Sequence, residues 1–230
     1  MFGHHSGPQP DRWEAERRAM VEHQIRARGV VDERVLEAIR RVPREQFVPP
    51  EAIEAAYEDC ALPIGWGQTI SQPFTVAYML QALLLKGTEK VLEVGTGSGY
   101  GAAVLSLLAR EVHTVERLPQ LADQASVKLK QLGYANVHVH VGDGSLGWQA
   151  ESPFDAIVVT AAAELVPPPY ESQLVIGGRL VLPVGDITCQ SLVRLTRTPS
   201  GCARDDLGGF MFVPLIGEYG FSYEALARPP

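Results

Sequence analysis

The stretch VLEVGTGSGY, residues 91–100, decides the fold. A run of branched apolar residues ends in glycines at alternate positions, Gly95, Gly97 and Gly99, and an apolar segment of helical spacing follows over residues 102–109. This is a strand, a tight turn and a helix. Such a unit brings bare backbone N–H groups against a ligand, because glycine tolerates the left-handed backbone of the turn and carries no Cβ.

The spacing narrows the ligand. A G-x-G-x-x-G dinucleotide fingerprint needs its third glycine at position 100, where Tyr100 stands. G-x-G-x-G, with the acidic Glu93 inside the strand, fits S-adenosylmethionine (SAM) better than NAD.

Outward from the turn, strands are predicted over 90–95, 111–116, 137–142, 154–160 and 178–184, with helices at 100–109 and 119–132, the second closing at Gly133. This alternation requires a parallel sheet with helices on both faces and right-handed crossovers. Residues 191–196 and 210–216 read as two further strands joined by a Gly/Pro/Asp-rich loop, which predicts an antiparallel pair at one sheet edge. Upstream, residues 13–29 form a first helix with Trp13, Met20, Val21 and Ile25 on its apolar side and Gly29 as its stop. In the second, Asp32 caps a helix in which Val35, Ala38, Ile39 and Val42 fall at i, i+3, i+4, i+7 before Pro43. Pro49-Pro50 opens a connector into a short helix at 51–57. The division expected is a disordered lead-in (1–12), an N-terminal helical region with a substrate loop (13–73), a core (74–219) and a tail (220–230).

Composition sets outer limits. Of 230 residues, 46% are hydrophobic and 20% charged, as in ordinary globular chains. A net charge of −7 argues against nucleic acid as a general partner, since phosphate contact needs a basic face. Cys60, Cys189 and Cys202 are odd in number and lack a C-x-x-C, so neither a disulfide framework nor zinc is expected. No apolar run approaches the roughly 20 residues of a membrane span; the stretch around 77–85 is broken by Gln81 and closed by Lys86. MFGHHSGPQP at the start lacks a signal peptide's apolar stretch. A cytoplasmic protein is expected.

In an open parallel sheet, ligands bind beyond the carboxyl ends of the strands where strand order reverses. Three acids close the first three strands. Glu116, 21 residues after Gly95, is placed to accept both ribose hydroxyls; Asp143, in the VGDG turn beside Gly144, to accept the adenine amino group. Glu93 lies under the turn that carries Thr96 and Ser98, and either holds that turn or faces the methionine amine through water. One such acid is usually just solvated; three at consecutive strand ends point together to a cofactor.

A second segment, LPIGWGQTISQP at 62–73, precedes the apolar helix FTVAYMLQALLL. Pro73 in its first turn puts Ser71 near a helix N-terminus, where free N–H groups favour an anion. Ser71 or Gln72 acting merely as an N-cap is the competing reading. Gly65 and Gly67 beside Trp66 indicate a shaped loop. His138 and His140 share a strand face with two-histidine spacing, but no third ligand is evident and no metal is expected. There is no G-x-S-x-G elbow or Walker loop, and Ser98 is out of frame for a nucleophile.

Together, VPREQFV at 42–48, ALPIGWGQTISQP at 61–73, VLEVGTGSGY at 91–100, VERL at 115–118, GDG at 142–144, FDAIVVTAAA at 154–163, GGRLVLPVG at 177–185 and FVPL at 212–215 resemble the protein-L-isoaspartate (D-aspartate) O-methyltransferase family, in family order, over about residues 20–217. The GQTISQP segment is the distinctive one. The resemblance implies a class I SAM-dependent methyltransferase fold, an α/β Rossmann-like, mostly parallel seven-stranded sheet with an antiparallel edge plus an N-terminal helical region. It implies methylation of the free α-carboxyl group of L-isoaspartyl residues, with SAM as methyl donor and S-adenosyl-L-homocysteine as product. The ester then closes to a succinimide that reopens as aspartate. By resemblance Ser71 matches the family's active-site serine, and Thr69, Ile70 and Val213 lie in segments flanking the substrate. Expected partners are isoaspartyl-bearing proteins and peptides, without nucleic acid or membrane, and the chain is expected to be a monomer.

The residues agree with that chemistry. A carboxylate is ionised at neutral pH, so it needs no general base to attack a methyl group. A nearby lysine or arginine would lower its nucleophilicity, and the 62–73 loop has neither. Competing readings are a small-molecule SAM methyltransferase, a SAM-binding protein without catalysis, and an NAD-dependent reductase, the last opposed by Tyr100 and the GDG turn.

Overall fold

A computed structural model describes residues 12–222. All of the expected lead-in but Arg12, and most of the expected tail, lie outside the described residues. Among the described residues, nine strands and six α-helices follow one another with short helical turns between them.

The N-terminal region begins with α1, Arg12–Met20, which runs on as a π turn (Val21–Ile25) and a 3-10 turn (Arg26–Arg28). Gly29 stops it in the left-handed conformation expected of it. Met20, Val21 and Ile25 are buried as the apolar pattern requires. In α2, Glu33–Arg41, the Asp32 side chain accepts from the backbone N–H groups of Arg34 (2.9 Å) and Val35 (3.4 Å), so the predicted cap is present. The short helix expected at 51–57 is a 3-10 turn, Pro50–Ala55.

The glycine-bearing loop at 62–73 is more ordered than a loop. It contains a β-hairpin, β1 Leu62–Gly65 and β2 Gln68–Ile70, with Trp66 at the tip at φ +49°. Leu62, Ile64 and Ile70 point inward. Helix α3, Pro73–Ala82, follows directly.

The main sheet has β3 Lys90–Val94, β4 Glu111–Glu116, β5 Val137–Val141, β6 Phe154–Val159, β7 Leu174–Gly185, β8 Gln190–Thr198 and β9 Gly201–Phe210, in the order β5-β4-β3-β6-β7-β8-β9. Strands β3 to β7 are parallel; β8 and β9 are antiparallel. Strand order reverses between β3 and β6, and a ligand crevice belongs beyond their carboxyl ends.

One expectation is corrected here. The last strand is 201–210, not 210–216, and the supposed loop is mostly that strand. Its pattern misled because β9 is an exposed sheet edge: Arg204, Asp205 and Asp206 face water, with Arg194 of β8 paired to Asp205 at 2.8 Å. Polar residues protect such edges and erase the apolar alternation that marks a strand. Residues 211–216 instead cross the end of β6. The Ala162 N–H donates to the Val213 carbonyl (2.8 Å), and the Leu215 N–H to the Ala162 carbonyl (2.7 Å).

The sheet's faces are covered unequally. Helices α4 (Tyr100–Ser106) and α5 (Pro119–Gln131) pack with α2 and α3 into the larger apolar core. The other face, centred on Leu92, Ile157 and Leu180, is closed by short turns and the six-residue α6, Pro168–Gln173.

Candidate active site

A cavity of about 750 Å³ opens at the strand-order reversal. One side is the glycine turn after β3; the other is the end of the hairpin, the start of α3 and residues 209–216. Of the residues expected to bind cofactor or acceptor, all line it except Gly99 and Asp143.

The turn itself is built for close approach. Gly95 has φ +96°, and a Cβ there would stand 2.3 Å from Thr160 Oγ1. That hydroxyl is fixed by donating to the carbonyls of Val94 (3.1 Å) and Gly95 (3.0 Å). Gly97 has φ +53°, and its missing Cβ faces Ile64 Cδ1 of the hairpin at 3.3 Å. Gly99 caps α4, with α5 rather than the cavity beside it: Ala125 and Leu129 would meet its Cβ at 3.3 Å.

Glu116 ends β4 with both oxygens in use. One accepts the Gly97 N–H (3.0 Å), the other the Leu118 N–H (3.1 Å). It therefore braces the turn while facing the cavity.

Glu93 is the most perturbed acid of the site. It is 2% exposed, its Oε2 accepts from Thr114 Oγ1 at 2.7 Å, and Thr114 in turn shares a 2.7 Å hydrogen bond with Thr96. Its other oxygen occupies the space that a Cβ at Gly101 would need, 2.2 Å away, so the glycine makes room for the carboxyl. Burial pushes the Glu93 carboxyl up to about 8; the Thr114 hydrogen bond opposes the rise and the charge of Glu116 adds to it.

Asp143 stands back from the cavity. Its Oδ1 accepts from the Ser145 N–H (2.9 Å) and hydroxyl (2.7 Å), and its Oδ2 from the Glu218 N–H (2.7 Å). It thereby fastens residues 217–219 against the 143–145 turn, while Gly144 beside it reaches the cavity wall.

On the opposite side, Ser71 lies one residue before the α3 cap. The cap position belongs to Gln72, whose side chain makes no capping bond: its Nε2 donates to the Asp59 carbonyl and carboxylate (3.0 and 2.9 Å), and its Oε1 accepts from Thr75 (3.1 Å). The capping reading of Ser71 thus has no geometric basis. Thr69 is exposed at the rim and Ile70 is buried. Val213 lies across the cavity, in the segment tied to Ala162.

His138 and His140 join a third histidine on their sheet face. His113 shares a 3.0 Å hydrogen bond with His140 and stacks on His138 with ring centres 5.0 Å apart. Among the described residues no group of three or more His, Cys, Asp or Glu is arranged to hold a metal ion.

Two contributors escaped the sequence reading. Thr160 follows β6 at the strand-order reversal, a position that marks it, but attention to acids alone passes over a hydroxyl. Arg44 sits in VPREQFV, far from the hairpin in sequence, yet its Nη2 donates to the Ser71 carbonyl at 2.9 Å. An arginine in a short helical turn carries no sequence mark of burial.

The fold and cavity agree with comparisons to known proteins. The family model described as protein-L-isoaspartate(D-aspartate) O-methyltransferase matches residues 15–220. The chain is 54% identical over 215 residues to a protein-L-isoaspartate O-methyltransferase of Syntrophus aciditrophicus, covering 92% of this chain and 99% of that one. It is 53% identical to its counterpart from Methanoculleus marisnigri, covering 91% and 95%. Among solved structures, one protein-L-isoaspartate O-methyltransferase superposes with a TM-score of 0.80 at 28% identity, covering 88% of this chain and 67% of that one. A Plasmodium falciparum structure described as the same enzyme, in complex with S-adenosyl-L-homocysteine, gives 0.76 at 25% identity, covering 87% and 98%. A glycine turn facing a GQTISQP hairpin, carried on this sheet and matched along nearly the whole chain, leaves one conclusion: the chain belongs to the protein-L-isoaspartate(D-aspartate) O-methyltransferase family.

Proposed function

We propose that this protein methylates the free α-carboxylate of L-isoaspartyl residues in damaged proteins and peptides, with Ser71 positioning that carboxylate. The observation that carries the reading is that one cavity joins the glycine turn to the hairpin end, so donor and acceptor share a chamber. The residues fit a SAM molecule: the turn from Gly95 to Ser98 lines the cavity with backbone that carries no Cβ at Gly95 or Gly97, and the acids Glu93 and Glu116 line the same side, where a cationic ligand would lie. Bound SAM supplies an electrophilic methyl group on sulfur, which a carboxylate oxygen takes as the carbon–sulfur bond breaks.

The chain's own part is to hold, orient and exclude water. Glu116 and the turn N–H groups hold the adenosine end, and Asp143, with Gly144, borders the adenine end. Ser71 and Thr69 offer hydroxyls to the acceptor carboxylate. Ile70 and Val213 flank it with apolar surface, which desolvates it without supplying a proton. No general base is required, because the nucleophile is already ionised. Residues 13–73 act as the acceptor-binding unit built onto the 74–219 core. Every group invoked comes from one chain, so a monomer suffices. The net charge of −7 disfavours nucleic acid as a partner. Among the described residues no helix is long and apolar enough to cross a membrane, and the three cysteines are free, as in a cytoplasmic protein.

Geometry sets acceptor selectivity. Aspartyl and isoaspartyl carboxylates have similar basicity, but a misplacement of about 1 Å costs on the order of a hundredfold in rate. Labelled SAM should therefore methylate an L-isoaspartyl peptide at least about a hundredfold faster, in kcat/KM, than its aspartyl twin. The product ester should release methanol in mild base. Equal rates on both peptides would refute the assignment.

A further inference from the structure

The mechanism above leaves a buried cation beneath Ser71 unused. Arg44 is 0% exposed. Its Nε donates to the Ala56 carbonyl (2.8 Å), its Nη2 donates to the Ser71 carbonyl (2.9 Å), and its guanidinium carbon lies 4.9 Å from the ring centre of Tyr100, a residue of the cavity wall. The buried Nη1 has no hydrogen-bond partner among the described residues. Among the described residues the guanidinium has no carboxylate partner either. Glu45, its neighbour in sequence, is taken by Arg17 (3.3 Å) and by the Tyr57 hydroxyl.

A buried guanidinium stays protonated, and a buried charge without a counter-ion is costly. The structure keeps one a single carbonyl away from the residue proposed to receive an anion. We propose that Arg44 is a positioning residue for the acceptor: its charge draws the isoaspartyl α-carboxylate to Ser71, and its Nη2 bond holds the Ser71 backbone in place. The inference rests on Ser71 being the acceptor site. Acting through Ser71 rather than by contact, the guanidinium attracts the carboxylate without occupying the lone pair that forms the ester. The absence of lysine and arginine from the hairpin loop is thus compatible with a cation nearby, supplied from the 44–47 turn.

At an effective dielectric of about 20, a unit charge held within about 10 Å of a carboxylate shifts its binding equilibrium by more than about tenfold. Desolvation offsets part of this. In the full chain, Arg44→Gln should raise KM for an L-isoaspartyl peptide at least about tenfold, with kcat changed less than about threefold and the Kd of S-adenosyl-L-homocysteine within about twofold. Arg44→Lys keeps the charge in titratable form. The ratio of its KM to the wild-type value should be near one at about pH 6 and climb toward about pH 9 as the buried ammonium loses its proton, the ratio cancelling the Glu93 titration that both proteins share. The lysine variant decides the matter alone if the glutamine variant does not fold. An unchanged KM in folded Arg44→Gln, a parallel loss of homocysteine-product binding, or a pH-independent KM ratio in Arg44→Lys would each overturn the role. Methylation of the same peptide by the wild type is the control: its failure would refute the proposed activity instead.

Discussion

Replacing Glu93 by Gln should reverse the usual sign of a buried-acid substitution as pH rises. The carboxyl is fully enclosed and titrates at about 8 in the folded chain against 4.5 unperturbed, chiefly because burial penalises its charge. Between those values the folded state holds one more proton than the unfolded state. Stability from this group is therefore complete below about pH 4.5 and is lost as pH rises through about 8. Each pH unit in that window removes up to about 1.4 kcal/mol, and the whole window on the order of 5 kcal/mol. The Glu93→Gln variant keeps the shape beside Gly101 and the Thr114 partner but never ionises. Urea unfolding of both ligand-free proteins at intervals from about pH 5 to about pH 9 reads the difference directly. The variant should gain on the wild type steadily with pH and level off above about 8. A constant gap would mean that Glu93 is already ionised when folded, and the argument from burial would fail.

The same protonated acid predicts that SAM, whose sulfonium is cationic, displaces a proton near neutral pH. Calorimetry in buffers of different ionisation enthalpy should detect that release in the wild type and not in Glu93→Gln. Gly95→Ala should weaken SAM more than about tenfold and cost about 1–3 kcal/mol of stability, since it meets both a left-handed backbone and the Thr160 hydroxyl; adding Thr160→Ala should recover part of each, as titration calorimetry and urea melts would show. Ser71→Ala should lower kcat about tenfold or more with Tm and SAM affinity nearly unchanged, because the hydroxyl caps nothing. A less stable but fully active variant would return Ser71 to a structural role.

The parallel core was readable because buried parallel strands are continuous apolar runs and glycines punctuate them. Residues 90–94, 111–116 and 154–159 are strands where that pattern puts them. It failed at β9, whose exposed edge replaces apolar alternation with RDD and glycine. It also failed at the hairpin, where four residues of β1 and three of β2 are too few to show a period. In the site, residues next to the glycine turn were accessible to reading because that wall of the cavity is built from neighbours in sequence. Arg44 was not, since its partner Ser71 is 27 residues away. Asp143 shows another limit: a strand-end acid is identifiable, but not the Glu218 N–H that occupies it.

The Cδ1 of Ile64 stands 3.3 Å from where a Cβ on Gly97 would lie, so the hairpin packs beside the glycine turn. Ile64 belongs to the hairpin that leads into Thr69 and Ser71, so a ligand that displaces the glycine turn by a few tenths of an ångström also displaces the acceptor-side strand. Linkage then makes the effect mutual: whatever factor the methyl donor applies to peptide affinity, the peptide applies to the donor. The spent and unspent donors differ by one methyl and one charge, and through this contact they need not grip the peptide equally. Turnover can thus favour damaged chains while the donor is fresh and let them go once it is spent, with no moving domain to enforce the order.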